Sequence, residues 1–145
     1  MSAAAKNSLL IVDDEASNLL LISETLGDLY TIYTAKEAKD AFHKANDLRP
    51  DLILLDIIMP EISGYHLLGM LKSHAATQNI PVIFISGLDS DEDVEFGLQL
   101  GVADYINKPI CGGLLKKRIE NQLTIVNLNR RIQRAETPPA PGGNG

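Results

Sequence analysis

The sequence predicts an α/β fold, a doubly wound five-stranded parallel sheet with helices on both faces. Three observations predict it. Short apolar runs of strand length alternate five times with helical patterns. The connections are short, and parallel strands need crossover segments, usually helices, that cover the sheet faces. Four of the strand runs also give out onto polar residues, at the strand ends where α/β proteins keep their chemistry. Right-handed crossovers leave few topologies. Strand order 2-1-3-4-5 suits a five-stranded chain and sets strands 1 and 3 side by side at the switch point.

The first strand run, Leu9-Leu10-Ile11-Val12, opens onto Asp13-Asp14-Glu15. Residues 16–27 then read as a helix that buries Leu19, Leu20, Ser23 and Leu26. Tyr30-Thr31-Ile32-Tyr33 is a β-branched, aromatic second strand. Thr34 and Glu37 have capping-box spacing, and Ala38, Ala41, Phe42 and Ala45 follow at i, i+3, i+4, i+7. Arg49-Pro50 ends that helix, because proline disfavours helical geometry in the residue before it.

The third run, Leu52-Ile53-Leu54-Leu55, ends on Asp56 and is followed by Ile57-Ile58-Met59-Pro60. A carboxylate so placed stands at the end of a buried strand. Gly64, Leu67, Leu68 and Leu71 form the next helical stripe, and Pro81 opens a fourth strand, Val82-Ile83-Phe84-Ile85, which leads to Ser86-Gly87. The helix after it starts with Asp89, Asp91, Glu92, Asp93 and Glu95, where the helix dipole favours negative charge, and closes at Gly101. A fifth strand, Ala103-Asp104-Tyr105-Ile106-Asn107, delivers Lys108-Pro109. The last helix starts near Leu114 and packs Leu115, Ile119, Leu123 and Val126 on the sheet. Ile125, Leu128 and Ile132 make a second, offset stripe with coiled-coil spacing over only two repeats, so a homodimer through this helix stays open. Residues 137–145 (TPPAPGGNG) read as linker.

At 145 residues the chain makes one ordinary domain, and its 45% hydrophobic content suffices for a core. No apolar stretch approaches the ~18 residues of a membrane span, and residues 1–8 lack a secretory apolar region. A single cysteine, Cys111, excludes an internal disulfide and fits a reducing, cytoplasmic setting. The net charge of −6 argues against direct nucleic-acid binding, which draws on clustered lysine and arginine. Residues 1–115 carry 7 basic and 17 acidic side chains, whereas residues 116–134 carry 6 basic and 1 acidic. A solvated helix face explains that basic segment more simply than a docking surface does.

If the strands lie parallel, Asp13, Asp14, Asp56, Ser86 and Lys108 meet at one edge of the sheet. Crowded carboxylates repel; one pair of charges at 4 Å costs about 4 kcal/mol at an effective dielectric near 20. Such a cluster binds a cation, holds a proton or stands further apart. Oxygen ligands without nitrogen or sulfur suggest Mg²⁺. A carboxylate-held cation facing a lysine and a hydroxyl supplies parts for phosphoryl transfer. With no P-loop in the chain, ATP is a poor phosphate source, and one of the chain's own carboxylates is the expected acceptor.

Asp13-Asp14, Asp56 with Met59-Pro60 and Gly64, Ser86, and Lys108-Pro109 together resemble the receiver domain of two-component response regulators, over about residues 8–126. The resemblance implies a flavodoxin-like fold and a receiver at 8–126; outside it, residues 1–7 read as a disordered start, 127–136 as an extension of the last helix and 137–145 as a flexible linker tail. It implies Asp56 as phosphoacceptor from the phosphohistidine of a sensor histidine kinase or histidine phosphotransfer protein. Asp14, Asp56 and the Ile58 backbone carbonyl would ligate Mg²⁺ directly, and Asp13 through water. Lys108, with a cis bond to Pro109, would pair with a phosphoryl oxygen; Ser86 would donate its hydroxyl and Gly87 its amide. Tyr105 occupies the aromatic switch position, which would turn inward as Ser86 moves and alter the surface of the fourth helix, fifth strand and fifth helix toward an output domain or downstream protein. Ile110 and Gly87 depart from the family's usual Phe and Ala. Ile58 and Leu88, both apolar, flank the approach of water to Asp56 and imply a long-lived phosphoryl group. Two rivals remain: an aspartate-nucleophile phosphohydrolase, which would carry a second aspartate where Ile58 stands, and a phosphate-independent interaction module.

Overall fold

The computed structural model describes residues 6–59, 61–87 and 91–136. Strands β1 (Ser8–Val12), β2 (Thr31–Ala35), β3 (Leu52–Asp56), β4 (Val82–Ser86) and β5 (Asp104–Asn107) alternate with helices α1 (Ala16–Leu26), α2 (Ala38–Leu48), α3 (Gly64–Lys72), α4 (Asp91–Gln99) and α5 (Gly112–Glu136). All strand pairs are parallel, in the order β2-β1-β3-β4-β5, as expected.

Alternation along the strands builds two cores, since successive side chains point to opposite faces. Leu10, Val12, Ile53, Leu55, Val82, Phe84 and Tyr105 face α2 and α3. Leu9, Ile11, Leu52, Leu54, Ile83, Ile85 and Ile106 face α1 and α5. β3 and β4 are buried at every position, which is why their sequences read as unbroken apolar runs.

Two local expectations are corrected. α1 buries Leu19, Ile22 and Leu26, whereas Leu20 is 60% exposed and Ser23 only half-buried. Leu19-Leu20-Leu21-Ile22 is a continuous apolar run, so its periodicity does not fix which face turns inward. The Thr34–Glu37 capping box does not form. Thr34 lies inside β2, and Glu37 itself precedes α2 without a side-chain cap. β2 runs on because Ala35 pairs with Val12 and its carbonyl accepts from the Asp13 amide at 3.1 Å. The stripe Ala38, Ala41 and Ala45 is buried as expected, with Phe42 packed beside it. α2 stops before Pro50, but Arg49 takes a left-handed conformation (φ 47°) rather than the extended one usual before proline, and its amide caps Ala45.

On the α3 and α4 side, aromatic rings meet edge to face. Phe84 lies against Tyr65 at 5.5 Å and Tyr105 at 6.2 Å between centroids, and Tyr65 reaches Phe96 at 5.0 Å. α5 seals the opposite face with Leu115, Ile119 and Leu123, and Arg118 donates to both Asp104 oxygens at 3.0 Å. Val126 is half-buried, and Ile125, Leu128 and Ile132 are about half exposed, at 50%, 48% and 51%. Asp89, Leu88, Pro60 and the 137–145 tail lie outside the described residues, as do residues 1–5.

Candidate functional site

The register brings the polar strand ends together. Val12 pairs with Leu55, Asp56 with Ile85, and Ser86 with Asn107. Each residue just past a strand therefore sits beside its counterpart on the neighbouring strand. Ligand oxygens of Asp13, Asp14 and Asp56 all lie within 4.8 Å of one another.

The three carboxylates are held differently. Asp13 is buried: Oδ1 accepts from the Glu15 amide at 2.9 Å, and Oδ2 from the Asn18 side-chain amide at 3.1 Å. Asp56 is 4% exposed, and its Oδ1 accepts from the Ile58 amide at 3.2 Å. Asp14 is half-buried and makes no hydrogen bond or ion pair among the described residues. Lys108 Nζ stands 3.4 Å from both Asp13 Oδ2 and Asp56 Oδ2. The ammonium thus bridges two buried carboxylates, partly offsetting their repulsion.

Burial, and then the charge of Asp13, push the Asp56 carboxyl above the usual carboxylate range, against the pull of Lys108 and the Ile58 amide. Burial works against the Lys108 charge, but Asp13 and Asp56 overcome it and leave the ammonium held more tightly than usual. Three acids with one lysine leave negative charge uncompensated. Oxygen donors this close suit a hard divalent cation such as Mg²⁺, which accepts one or two carboxylates and keeps several waters.

The other candidates fall around this centre. Ser86 is fully buried at the end of β4, and its carbonyl accepts from the Lys108 amide at 2.8 Å. Gly87 follows at the surface, with nothing among the described residues within 4 Å of where a Cβ would stand. The Lys108–Pro109 bond is cis. Ile58 is 58% exposed and flanks Asp56. Tyr105 lies on β5, 8% exposed, with its ring already turned inward against Phe84.

Asn18 had little signal in the sequence, and Gly64 stood in the motif without its physical reason being readable. Asn18 reaches Asp13 from the first turn of α1, a five-residue offset shared with many neutral surface amides. Gly64 read as part of a helical stripe, but its role is steric. A Cβ there would meet the Asp56 carbonyl oxygen at 2.5 Å and Ile57 Cα at 2.7 Å, and the Gly64 amide donates to the Ile57 carbonyl at 2.7 Å. The absent side chain lets α3 start directly beneath the acidic centre.

Comparison with known proteins agrees with this geometry. The chain is 39% identical over 123 residues to a probable cyclic di-GMP phosphodiesterase of Vibrio cholerae serotype O1, a match that covers 85% of the chain and 28% of that protein. It is 34% identical to the response regulator PleD of Caulobacter vibrioides, again over 85% of the chain and 28% of the relative. The chain thus spans little more than a quarter of these two relatives. Among solved structures, a response regulator from Desulfuromonas acetoxidans matches with a TM-score of 0.76 and 30% identity, over 82% of this chain and 98% of that one. The signal receiver domain of a putative Luxo repressor protein from Vibrio parahaemolyticus shares the fold with a TM-score of 0.82 at 24% identity, covering 88% and 97% of the two chains. The family model for the response regulator receiver domain matches residues 9–120, from the strand before Asp13 through most of the sheet-packed part of α5. With the acids, lysine and hydroxyl converging at the strand ends of a 2-1-3-4-5 sheet, the chain belongs to the response regulator receiver family, whose members act as phosphorylation-dependent signalling switches.

Proposed function

We propose that this receiver accepts a phosphoryl group on Asp56 from the phosphohistidine of a sensor histidine kinase or a histidine phosphotransfer protein, in a Mg²⁺-dependent step. One observation carries the reading: a buried aspartate shares a lysine with a second acid, beside a third acid without a partner among the described residues.

The Asp56 carboxylate oxygen attacks phosphorus, the phosphorus–nitrogen bond breaks, and the imidazole leaves. Lys108, already 3.4 Å from Asp56, moves its charge from carboxylate to phosphoryl oxygen. Ser86 and the Gly87 amide flank the same oxygens. Asp14, Asp56 and the Ile58 carbonyl would hold Mg²⁺, which would neutralise charge developing on the transferring group. Asp13 suits an indirect role, because both of its oxygens are already engaged. The acyl phosphate adds about −1.5 to −2 charge and three acceptor oxygens beside Ser86 and Lys108. Ser86 then moves with its loop, Tyr105 adjusts against Phe84, and the α4/β5/α5 surface changes toward an output domain or downstream protein.

Residues 8–126 form the receiver in this reading, 127–136 extend α5, and 137–145 link onward; the greater length of the relatives supports an output elsewhere in a longer protein. A homodimer through Ile125, Leu128 and Ile132 fits the same scheme. The domain contacts no nucleic acid itself and works in the cytoplasm; among the described residues no helix is long and apolar enough to cross a membrane. The phosphohydrolase reading is weaker, because Ile58 stands where a second catalytic acid would be needed.

Acetyl phosphate and Mg²⁺ test the proposal. Intact mass should rise by about 80 Da, the mass of HPO₃, in wild type and not in Asp56→Asn. Absence of the adduct, its persistence in Asp56→Asn, or steady turnover of a simple phosphoester would overturn the reading.

A further inference from the structure

Past Leu123 the contact between α5 and the domain changes character. Leu115, Ile119 and Leu123 are buried, but beyond Val126 the described side chains through residue 135 are exposed. A cleft of about 750 Å³ separates this part of the helix from residues 49–51, 75–76 and 79–81; Val126, Asn129, Arg130, Ile132 and Gln133 form its helical wall. Two polar ties hold the extension among the described residues. Asn127 and Asn7 exchange side-chain hydrogen bonds at 3.3 and 3.4 Å, and Arg130 pairs with Asp51.

Asp51 is a fixed anchor. Its Oδ2 accepts from the Ser8 amide at 2.8 Å and from the Asn7 side chain at 3.1 Å, and its own amide donates to the Ser8 carbonyl at 2.8 Å. The carboxylate is therefore tied to the starts of β1 and β3 before Arg130 reaches it. Burial pushes its carboxyl up, but the Ser8 amide, Arg130 and Asn7 outweigh that and hold it below the ordinary range. An apolar seam resists opening, whereas a polar tie beside an open cleft exchanges readily with water.

We propose that Asn7, Asp51 and Arg130 form a latch that fixes the direction in which α5 leaves the domain, and that releasing it frees the helix from residue 127 onward without disturbing the sheet. The latch and the acidic centre occupy opposite ends of β3. Asp51 precedes that strand and Asp56 closes it, five residues or about 16 Å along extended backbone.

The test uses the full chain. Nitroxide labels at Asn79→Cys and Gln133→Cys, with Cys111→Ser, report the width of the cleft by pulsed electron–electron resonance. Wild type should give one narrow distance distribution and Arg130→Ala a broad one. Arg130→Lys should restore part of the narrowing, because lysine keeps the charge and loses the planar fork. In hydrogen exchange, amides of 127–136 should exchange roughly two- to fivefold faster in Arg130→Ala, the range for losing a half-exposed ion pair of up to about 1 kcal/mol. Residues 112–123 and the five strands should be unchanged. Equal distance distributions in wild type and Arg130→Ala would overturn the latch. So would faster exchange spread evenly through the sheet, which would make Arg130 a general stabiliser.

Discussion

Replacing Gly64 with alanine tests how tightly α3 is seated beneath the acidic centre. The new methyl would stand 2.5 Å from the Asp56 carbonyl oxygen and 2.7 Å from Ile57 Cα, so backbone must yield by about 0.9 Å to reach ordinary contact at 3.4 Å. Neither atom belongs to a side chain that can rotate away. Overpacking of this kind costs about 1–3 kcal/mol, and backbone obstacles place Gly64→Ala at the upper end. Alanine's better helix propensity returns up to about 1 kcal/mol. A net loss of about 2 kcal/mol should lower the urea midpoint by roughly 1 M. Because the displaced atoms carry Asp56, labelling by acetyl phosphate should slow as well. Gly87→Ala is the control: its Cβ meets nothing within 4 Å among the described residues, so stability should hold or rise slightly. Equal urea midpoints for Gly64→Ala and wild type would refute the steric argument.

Three further outcomes are expected. Lys108→Met removes the cation shared by Asp13 and Asp56. Calorimetric titration should then show tighter Mg²⁺ binding while phosphoryl uptake falls, and weaker Mg²⁺ binding would contradict the competition between lysine and metal. Asp51 has its carboxyl held below the ordinary range when folded, so its stabilisation is complete above the unfolded pKa of about 3.9 and fades as pH falls through the folded value. Urea midpoints of wild type and Asp51→Asn should therefore differ at neutral pH and converge below about pH 4; a constant gap would remove the linkage. Ile58 is 58% exposed beside Asp56 and cannot orient water. Ile58→Asn should shorten the phosphoryl lifetime several-fold by mass spectrometry, less than the 10²–10⁴ of a positioned proton-transfer group because an amide only orients the water, and an unchanged decay would separate Ile58 from hydrolysis.

Much of this architecture was legible in the sequence because buried parallel strands are continuous apolar runs and their ends are abruptly polar. β3 and β4 needed no periodicity, and Asp56 stood out because an acid follows four buried residues. The face of α1 was not legible, since four successive apolar residues from Leu19 leave its rotation to tertiary packing. Thr34 and Glu37 satisfied a local capping rule that the longer-range pairing of Val12 with Ala35 overrode. Asn7, Asp51 and Arg130 gave no warning. Their partners lie 44 and 79 residues apart, and each alone reads as an ordinary solvated group. The steric reason for Gly64 was equally hidden, because only the folded backbone brings the carbonyl of Asp56 beneath it.

The edge-to-face rings have a kinetic consequence. Tyr105 cannot leave its place beside Phe84 without altering a contact that continues through Tyr65 to Phe96. Gly97 leaves no slack either, since a Cβ there would touch both Phe84 and Tyr105 within 3.4 Å. Rotation of these rings is therefore gated by their neighbours, and the exchange broadening of their proton resonances should rise and fall together.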